Sequence, residues 1–325
     1  MPKSHRSKSM RNPKTQRTQI KHVRLSRRLH ALAAMVTPGN RLADIGTDHA
    51  LIPVSLLTEK RIPYAYACDI GTGPLERAAA HIRAHGLEDR TTLRQADGLQ
   101  GIKPGEADTV LIAGMGGELM IRILREGAAL QNSVKEWIFS PHTEWTQFRH
   151  YLRESGFQLI EEYLLQEEGK DYLLLKAVPG DGELPYREAE SAGIPDTVAE
   201  RFGPLLLKER NETALRLIRR EIGKENALRE RLRQSVSARA ALRLRAVEDS
   251  LALLYALTER EYSAFPESKA ETGTEEQTET EEQTESNRSI VNRNAGRNIS
   301  RIISGSSDRN INSSADEAGR GGREE

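Results

Sequence analysis

The chain has 325 residues, of which 37% are hydrophobic and 30% charged. That length exceeds one compact domain, and that composition fits a folded core diluted by polar extensions. A single cysteine, Cys68, excludes an intramolecular disulfide and fits a reducing cytoplasm. No apolar run is long enough to span a bilayer, so no membrane partner is expected. The basic N-terminus lacks the apolar segment of a secretory signal. Net charge is zero, but it averages unlike parts. Residues 1–30 carry ten Lys or Arg and no acid, which suits a polyanion such as RNA or a solubilising tail.

From about Leu25 to Val178 the pattern alternates between short apolar runs and helical periods. Strands are expected at 42–45, 65–70, 91–95, 109–113, 137–140, 159–165 and 172–177. Helices are expected near 49–58, 74–85, 117–126 and 144–155. Strands alternating with helices imply right-handed crossovers and a mostly parallel sheet covered on both faces. The last two strands are joined only by Glu167, Glu168, Gly169 and Lys170, which leaves room for a β-hairpin and no helix. Five crossover units ending in a hairpin match the Rossmann-like, seven-stranded sheet of class I methyltransferases. A dinucleotide dehydrogenase more often ends with another helical crossover.

From about Glu200 to Tyr262 the sequence is helical throughout, with no proline after Pro204. Leu244, Val247, Leu251 and Leu254 form one apolar stripe. A lone helix of that length is improbable, so two antiparallel arms are expected. Equal arms put the turn near Ser235, Val236 and Ser237, with Gly223 as the rival turn. Fourteen Lys or Arg stand against ten acids here, a weak basic bias that most often marks a solvated face. After about Ala264, Thr-Glu-Glu-Gln-Thr-Glu occurs at 274–279 and again at 280–285. Such composition cannot bury enough apolar surface to offset chain entropy. The expected divisions are a disordered basic tail (1–21), the α/β domain (22–180), a linker (181–199), the helical domain (200–262) and a disordered tail (263–325).

Chemistry gathers at the strand ends. The first strand runs into Asp44-Ile45-Gly46-Thr47-Asp48-His49-Ala50. Gly46 lets the backbone approach a ligand, and Asp44 can accept hydrogen bonds from a ligand's ammonium group. The dinucleotide motif G-x-G-x-x-G is absent. Asp48 stands at its second glycine, where a pyrophosphate would meet a carboxylate. The bland alternative is that Asp or Thr simply caps the next helix. Asp69, followed by Ile70, ends the second strand at the spacing of an acid that holds both hydroxyls of an adenosine ribose. Thr72, Gly73 and Pro74 then open a helix. After the third strand, Asp97 can accept an adenine's exocyclic amine and Gly98 leaves room for the ring. The fourth strand ends in Ala113-Gly114-Met115-Gly116-Gly117, a bare backbone surface beside a transferred methyl. The loop lacks Asn/Asp-Pro-Pro-Tyr/Phe, the usual signature for exocyclic amines, so a ring nitrogen fits better as acceptor.

D-I-G-T-D-H-A at 44–50, A-D-G-L at 96–99, A-D-T-V-L-I-A-G-M-G-G at 107–117 and E-E-G-K-D-Y at 167–172 resemble the bacterial tRNA (adenine-22-N1)-methyltransferase family. G-P-L-L-L-K-E-R-N at 203–211 resembles the start of that family's C-terminal coiled coil. The resemblance covers roughly residues 22–262. It implies S-adenosyl-L-methionine as methyl donor, tRNA as substrate and a helical hairpin that helps dock it. By position, Asp44, Gly46, Thr47, Asp48, His49, Asp69, Ile70, Asp97, Gly98, Ala113, Gly114, Met115 and Gly116 would line the cofactor pocket. Residues 1–20 and 264–325 have no recognised counterpart. The loop Ser140-Pro141-His142-Thr143-Glu144-Trp145 also departs from the family, which has an Asn near His142.

Asp48 is the first candidate to hold the target base's amine, with His142 beside it as the second catalytic candidate. Gly117, His142 and Trp145 are candidates for contact with the base, although Trp145 equally suits packing at a helix start. No metal is expected, because His81, His85 and the N-terminal histidines lack ligand spacing. A cytoplasmic monomer is the favoured state. The rivals are a small-molecule methyltransferase and a non-catalytic RNA-binding protein that kept the fold.

Overall fold

A computed structural model describes residues 23–209 and 212–262. Both expected tails, 1–21 and 263–325, lie outside these residues. The α/β domain runs α1 (Arg27–Met35), β1 (Leu42–Ile45), α2 (Leu51–Thr58), β2 (Ala65–Asp69), α3 (Thr72–Ala84), β3 (Thr91–Gln95), β4 (Thr109–Ala113), α4 (Gly117–Glu126), β5 (Glu136–Ser140), α5 (Trp145–Glu154), β6 (Phe157–Glu167) and β7 (Lys170–Pro179). All seven expected strands are present, the last two longer than anticipated. Helix α1 was not anticipated. Its signal is the Ser26 side chain, which caps it by accepting from the Leu29 amide.

The sheet order is β3-β2-β1-β4-β5-β7-β6. β1 to β5 are parallel, and β7 inserts between β5 and β6, antiparallel to both. The hairpin turn places Glu168 at φ 49° and Gly169 at φ 76°. Two consecutive positive φ values match the twist of tight hairpins, which explains the glycine. Side chains alternate between two cores. Val110, Ile112, Trp137 and Phe139 face the core under α4 and α5. Leu111 and Ile138 face the core under α1 and α2.

The stretch 181–199, expected as a linker, instead carries α6 (Leu184–Ser191) and the first residues of α7 (Asp196–Phe202). The latter leads into α8 (Pro204–Lys208). Its small apolar residues, including Ala189, Ile194, Val198 and Ala199, build a third core with Ile218, Leu254 and Leu257. Their sequence spacing is too short and too broken by Gly193 and Pro195 to announce a helix. The hairpin follows as α9 (Glu212–Arg233) and α10 (Ala238–Tyr262), with the turn at the expected serines and Gly223 inside α9. The stripe residues Val247, Leu251 and Leu254 are buried.

Helix α5 ties the two halves together. Arg149 donates to Glu162 at 2.7 Å, and both side chains are fully buried. Arg149 also donates to the Arg201 carbonyl at 3.1 Å. Glu162 accepts from the amides of Leu205 (3.2 Å) and Leu206 (3.4 Å). A Cβ at Gly203, where φ is +104°, would lie 2.4 Å from Glu162. One turn further, Arg153 clasps Glu183 and Asp196 at 2.6 and 2.9 Å. Among the described residues, no helix is long and apolar enough to cross a membrane.

Candidate active site

Strands β3, β2, β1 and β4 are adjacent and parallel, so their carboxyl ends share one edge of the sheet. Strand order reverses between β1 and β4, the place where open α/β sheets bind ligands. Asp44, Asp69, Asp97 and Gly114 all arrive there. The Cys68 carbonyl, on β2, accepts from the amides of Gly46 (2.8 Å) and Thr47 (2.9 Å), which locks the turn after β1. Gly46 has φ +76°, and a Cβ added there would sit 2.0 Å from Met115 Cε. The first and fourth strand loops therefore touch. Gly46→Ala is expected to lower stability by about 1–2 kcal/mol through its left-handed backbone and to displace Met115. Urea unfolding of the variant measures this.

The acids share a pattern. Asp44 Oδ2 accepts from the Thr47 hydroxyl at 2.6 Å, Asp69 Oδ1 from the Gly71 amide at 2.7 Å, and Asp48 Oδ1 from Arg77 Nη2 at 2.9 Å. Each thus has one oxygen anchored by the protein while the second takes no hydrogen bond from the described residues. Thr47 is itself buried, so its hydroxyl is committed to Asp44 rather than to a ligand. Burial pushes the Asp44 carboxyl up to about 6, the Thr47 hydrogen bond opposes this, and the charge of Asp69 adds to it. Asp97 differs, because both of its oxygens accept from Arg122, at 3.2 Å each. Ile70, 65% exposed, projects at the tip of β2. An added Cβ at Gly114 (φ +81°) would meet nothing within 4 Å, so the backbone there fronts open space. Acids with a free oxygen around a bare backbone are a cradle that fits an amino-acid nucleoside.

The other wall is the loop after β5. His142 donates its amide to the Met115 carbonyl at 2.8 Å, and its ring lies 5.8 Å from that of Tyr172. Burial, then the charges of Arg28 and Lys170, hold its pKa below the usual imidazole value. It is therefore neutral at pH 7. Trp145 is partly buried against the core, and its indole N–H donates to the Pro141 carbonyl at 2.9 Å. That favours packing over base contact. Glu144, in the left-handed region at φ 53°, accepts from the Gly117 amide at 3.0 Å. A Cβ at Gly117 would come within 2.8 Å of the Thr143 carbonyl, and one at Gly116 within 3.1 Å of the Thr143 hydroxyl. His49 and Ala50 also take positive φ, 60° and 50°. Such non-glycine conformations cost about 1–3 kcal/mol each and cluster at functional sites. Ala113 closes β4 beneath this loop.

The site therefore gathers Asp44, Gly46, Thr47, Asp48, His49, Asp69, Ile70, Asp97, Gly98, Ala113, Gly114, Met115, Gly116, Gly117 and His142, with Trp145 set back into the core. Sequence reading missed Arg77, Arg122 and Glu144. Arginine or glutamate on an exposed helical face, or before one, carries no local mark of the acid or glycine it reaches. Among the described residues, no group of three or more His, Cys, Asp or Glu is placed to hold a metal.

A methyltransferase domain family matches residues 25–175. The tRNA (adenine(22)-N(1))-methyltransferase of Bacillus subtilis is 34% identical over 216 residues, 66% of this chain and 89% of that protein. The crystal structure of the B. subtilis M1A22 tRNA methyltransferase TrmK superposes with a TM-score of 0.66 at 32% identity, covering 73% of this chain and 99% of that one. A Streptococcus pneumoniae protein solved in complex with S-adenosyl-L-methionine superposes at 0.61 with 29% identity, covering 72% and 99%. With this sheet order, this cradle of acids and glycines, and this extent of likeness, the chain belongs to the bacterial tRNA (adenine-22-N1)-methyltransferase family TrmK.

Proposed function

We infer that this protein methylates N1 of an adenine in tRNA, position 22 by its family, with S-adenosyl-L-methionine as donor. The observation that carries the inference is the meeting of Asp44, Asp69, Asp97 and Gly114 at one edge of the sheet. In this reading the free oxygen of Asp44 holds the donor's ammonium group. Asp69 holds the ribose hydroxyls, Asp97 the adenine amine, and Ile70 covers the adenine face. The turn residues Gly46, Thr47, Asp48 and His49 wrap the amino-acid end. Gly98 leaves space for the ring, and 113–116 face the methyl.

The donor's sulfonium supplies an already activated methyl, so no residue need act as nucleophile. The protein's part is positioning and electrostatics. The target base must be unpaired and swung into the pocket, at a cost of a few kcal/mol. Asp48, 63% exposed in its side chain and anchored through one oxygen, turns its other oxygen toward the base amine and balances the positive charge that N1 alkylation leaves. Neutral His142 contacts the base without setting a second cation against that charge, and Gly117 lets the base approach. Asp48→Asn is expected to lower kcat on tRNA by roughly 100-fold. Wild-type turnover in that variant would remove Asp48 from the reaction.

The raised pKa of Asp44 has two consequences of opposite sign. The folded state binds its proton more tightly than the unfolded chain does. Asp44 therefore subtracts stability progressively as pH rises from the ordinary carboxylate range through about 6. Donor binding needs the carboxylate form, so affinity should fall by about tenfold per pH unit below 6. Calorimetry between pH 5 and 8 checks this, and Asp44→Asn should bind weakly with a flat profile.

The reading also has the protein act as a cytoplasmic monomer, which size-exclusion chromatography with light scattering would test for the oligomeric state. The deciding experiment incubates the protein with labelled donor and unmodified tRNA, then identifies the product by nucleoside mass spectrometry. 1-Methyladenosine at position 22 is the expected product. Label that enters metabolites but never RNA would overturn the reading in favour of a small-molecule enzyme.

A further inference from the structure

The pair between Arg122 and Asp97 joins two parts of the site that are remote in sequence. Asp97 leads into the turn after β3, and Arg122 lies in the second turn of α4. The guanidinium meets the carboxylate fork to fork, Nη1 to Oδ2 and Nη2 to Oδ1, both at 3.2 Å. Nη1 also reaches Glu126 at 3.2 Å. The next residue of each segment is in contact too. A Cβ at Gly98 would stand 3.0 Å from the Ile123 side chain. Helix α4 begins at Gly117, whose amide is held by Glu144. One rigid helix is thus clamped beside the methyl end of the cradle and reaches across to its adenine end.

Both partners are partly exposed, at 47% for the Arg122 side chain and 35% for Asp97. An ion pair this exposed contributes little to folding. Its geometry does constrain the carboxylate. An aspartate otherwise rotates freely about its last bond, whereas a planar guanidinium bound through two nitrogens fixes the carboxylate plane. A carboxylate has about four acceptor positions, and the arginine takes two. Those that remain point in defined directions.

We propose that Arg122 is a positioning residue that sets the plane of the Asp97 carboxylate for the adenine amine of the bound cofactor, and so sets the site's preference for adenine over hypoxanthine. The proposal rests on the assignment of Asp97 to the adenine. Hypoxanthine carries an oxygen where adenine carries the amine, and an oriented carboxylate repels it. A carboxylate free to rotate can turn away, which narrows the difference.

Calorimetric titration with S-adenosylhomocysteine and its hypoxanthine counterpart tests this without turnover. Wild-type protein should prefer the adenine form by about tenfold or more, the scale of one charge-assisted hydrogen bond. Arg122→Met should cut that preference several-fold with an unchanged melting temperature. Arg122→Lys should not restore it, because an ammonium is a point charge. In an Asp97→Asn background, Arg122→Met should have no further effect. An equal loss in both backgrounds, or an intact preference in Arg122→Met, would overturn the proposal. If Asp97→Asn loses the preference while Arg122→Met keeps it, Arg122 alone is misassigned. If Asp97→Asn keeps it, the adenine assignment itself fails and the proposal falls with it.

Discussion

Asp69→Ala is expected to weaken S-adenosylmethionine binding by about two to four orders of magnitude. The side chain ends β2, and its Oδ1 is already committed to the Gly71 amide at 2.7 Å. That bond fixes the rotamer, so the carboxylate meets two ribose hydroxyls without further ordering. Each hydrogen bond to a charged acceptor is worth about 1.5–3 kcal/mol, so losing two predicts an effect of this size. Asp69→Asn keeps an acceptor for Gly71 and one for a hydroxyl, and should fall between wild type and alanine. Calorimetry measures both. Unchanged affinity in Asp69→Ala would remove this residue from the ribose. The larger effect expected of Asp69 than of Arg122 follows from contact: one touches the ligand, the other acts through Asp97.

The second large effect concerns the joint where α5 and β6 meet α7 and α8. Arg149→Met should cost about 3–5 kcal/mol of folding free energy, because it leaves the Glu162 carboxylate buried without its counter-charge. A double variant, Arg149→Met with Glu162→Leu, should recover only part of that loss. In many proteins an apolar replacement of both partners is neutral, but here Glu162 also accepts from Leu205 and Leu206. Removing it strands two amides at the start of α8. Denaturant unfolding of the single and double variants gives the numbers. A single variant within about 0.5 kcal/mol of wild type would show that the joint does not depend on this pair. Because α5 begins at Trp145, beside the proposed base-binding loop, the same helix that orders the site also carries the clasps to α7 and to Glu183 at the start of α6.

The acids and glycines of the cradle were legible because their meaning is local. A carboxylate or a glycine at the end of a β-branched run has few purposes, and a strand's polarity says which end it is. The hairpin turn at Ser235 to Ser237 was equally legible, since serines between two long apolar periods stop a helix. The helices in 181–199 were not. Their burial comes from packing on each other, on α5 and α8, and on the α9–α10 hairpin, which their own sequence does not show. Trp145 shows the same limit from the other side. Its place in the chain admits both stacking on a base and packing, and only its indole bond to Pro141 and its fit against the core separate them.

The sequence by itself determined the parallel sheet, the strand-end acids, the bare glycine loop and the two-armed helical domain. Each follows from periodicity or from backbone restrictions that act over a few residues. Only the tertiary structure decided which arginine holds which acid, that β7 inserts between β5 and β6, and that the buried Arg149–Glu162 pair grips the backbone of Arg201, Leu205 and Leu206. Those outcomes depend on which surfaces meet across long stretches of chain, and a side chain's partner there is chosen by packing of the whole rather than by its neighbours in sequence.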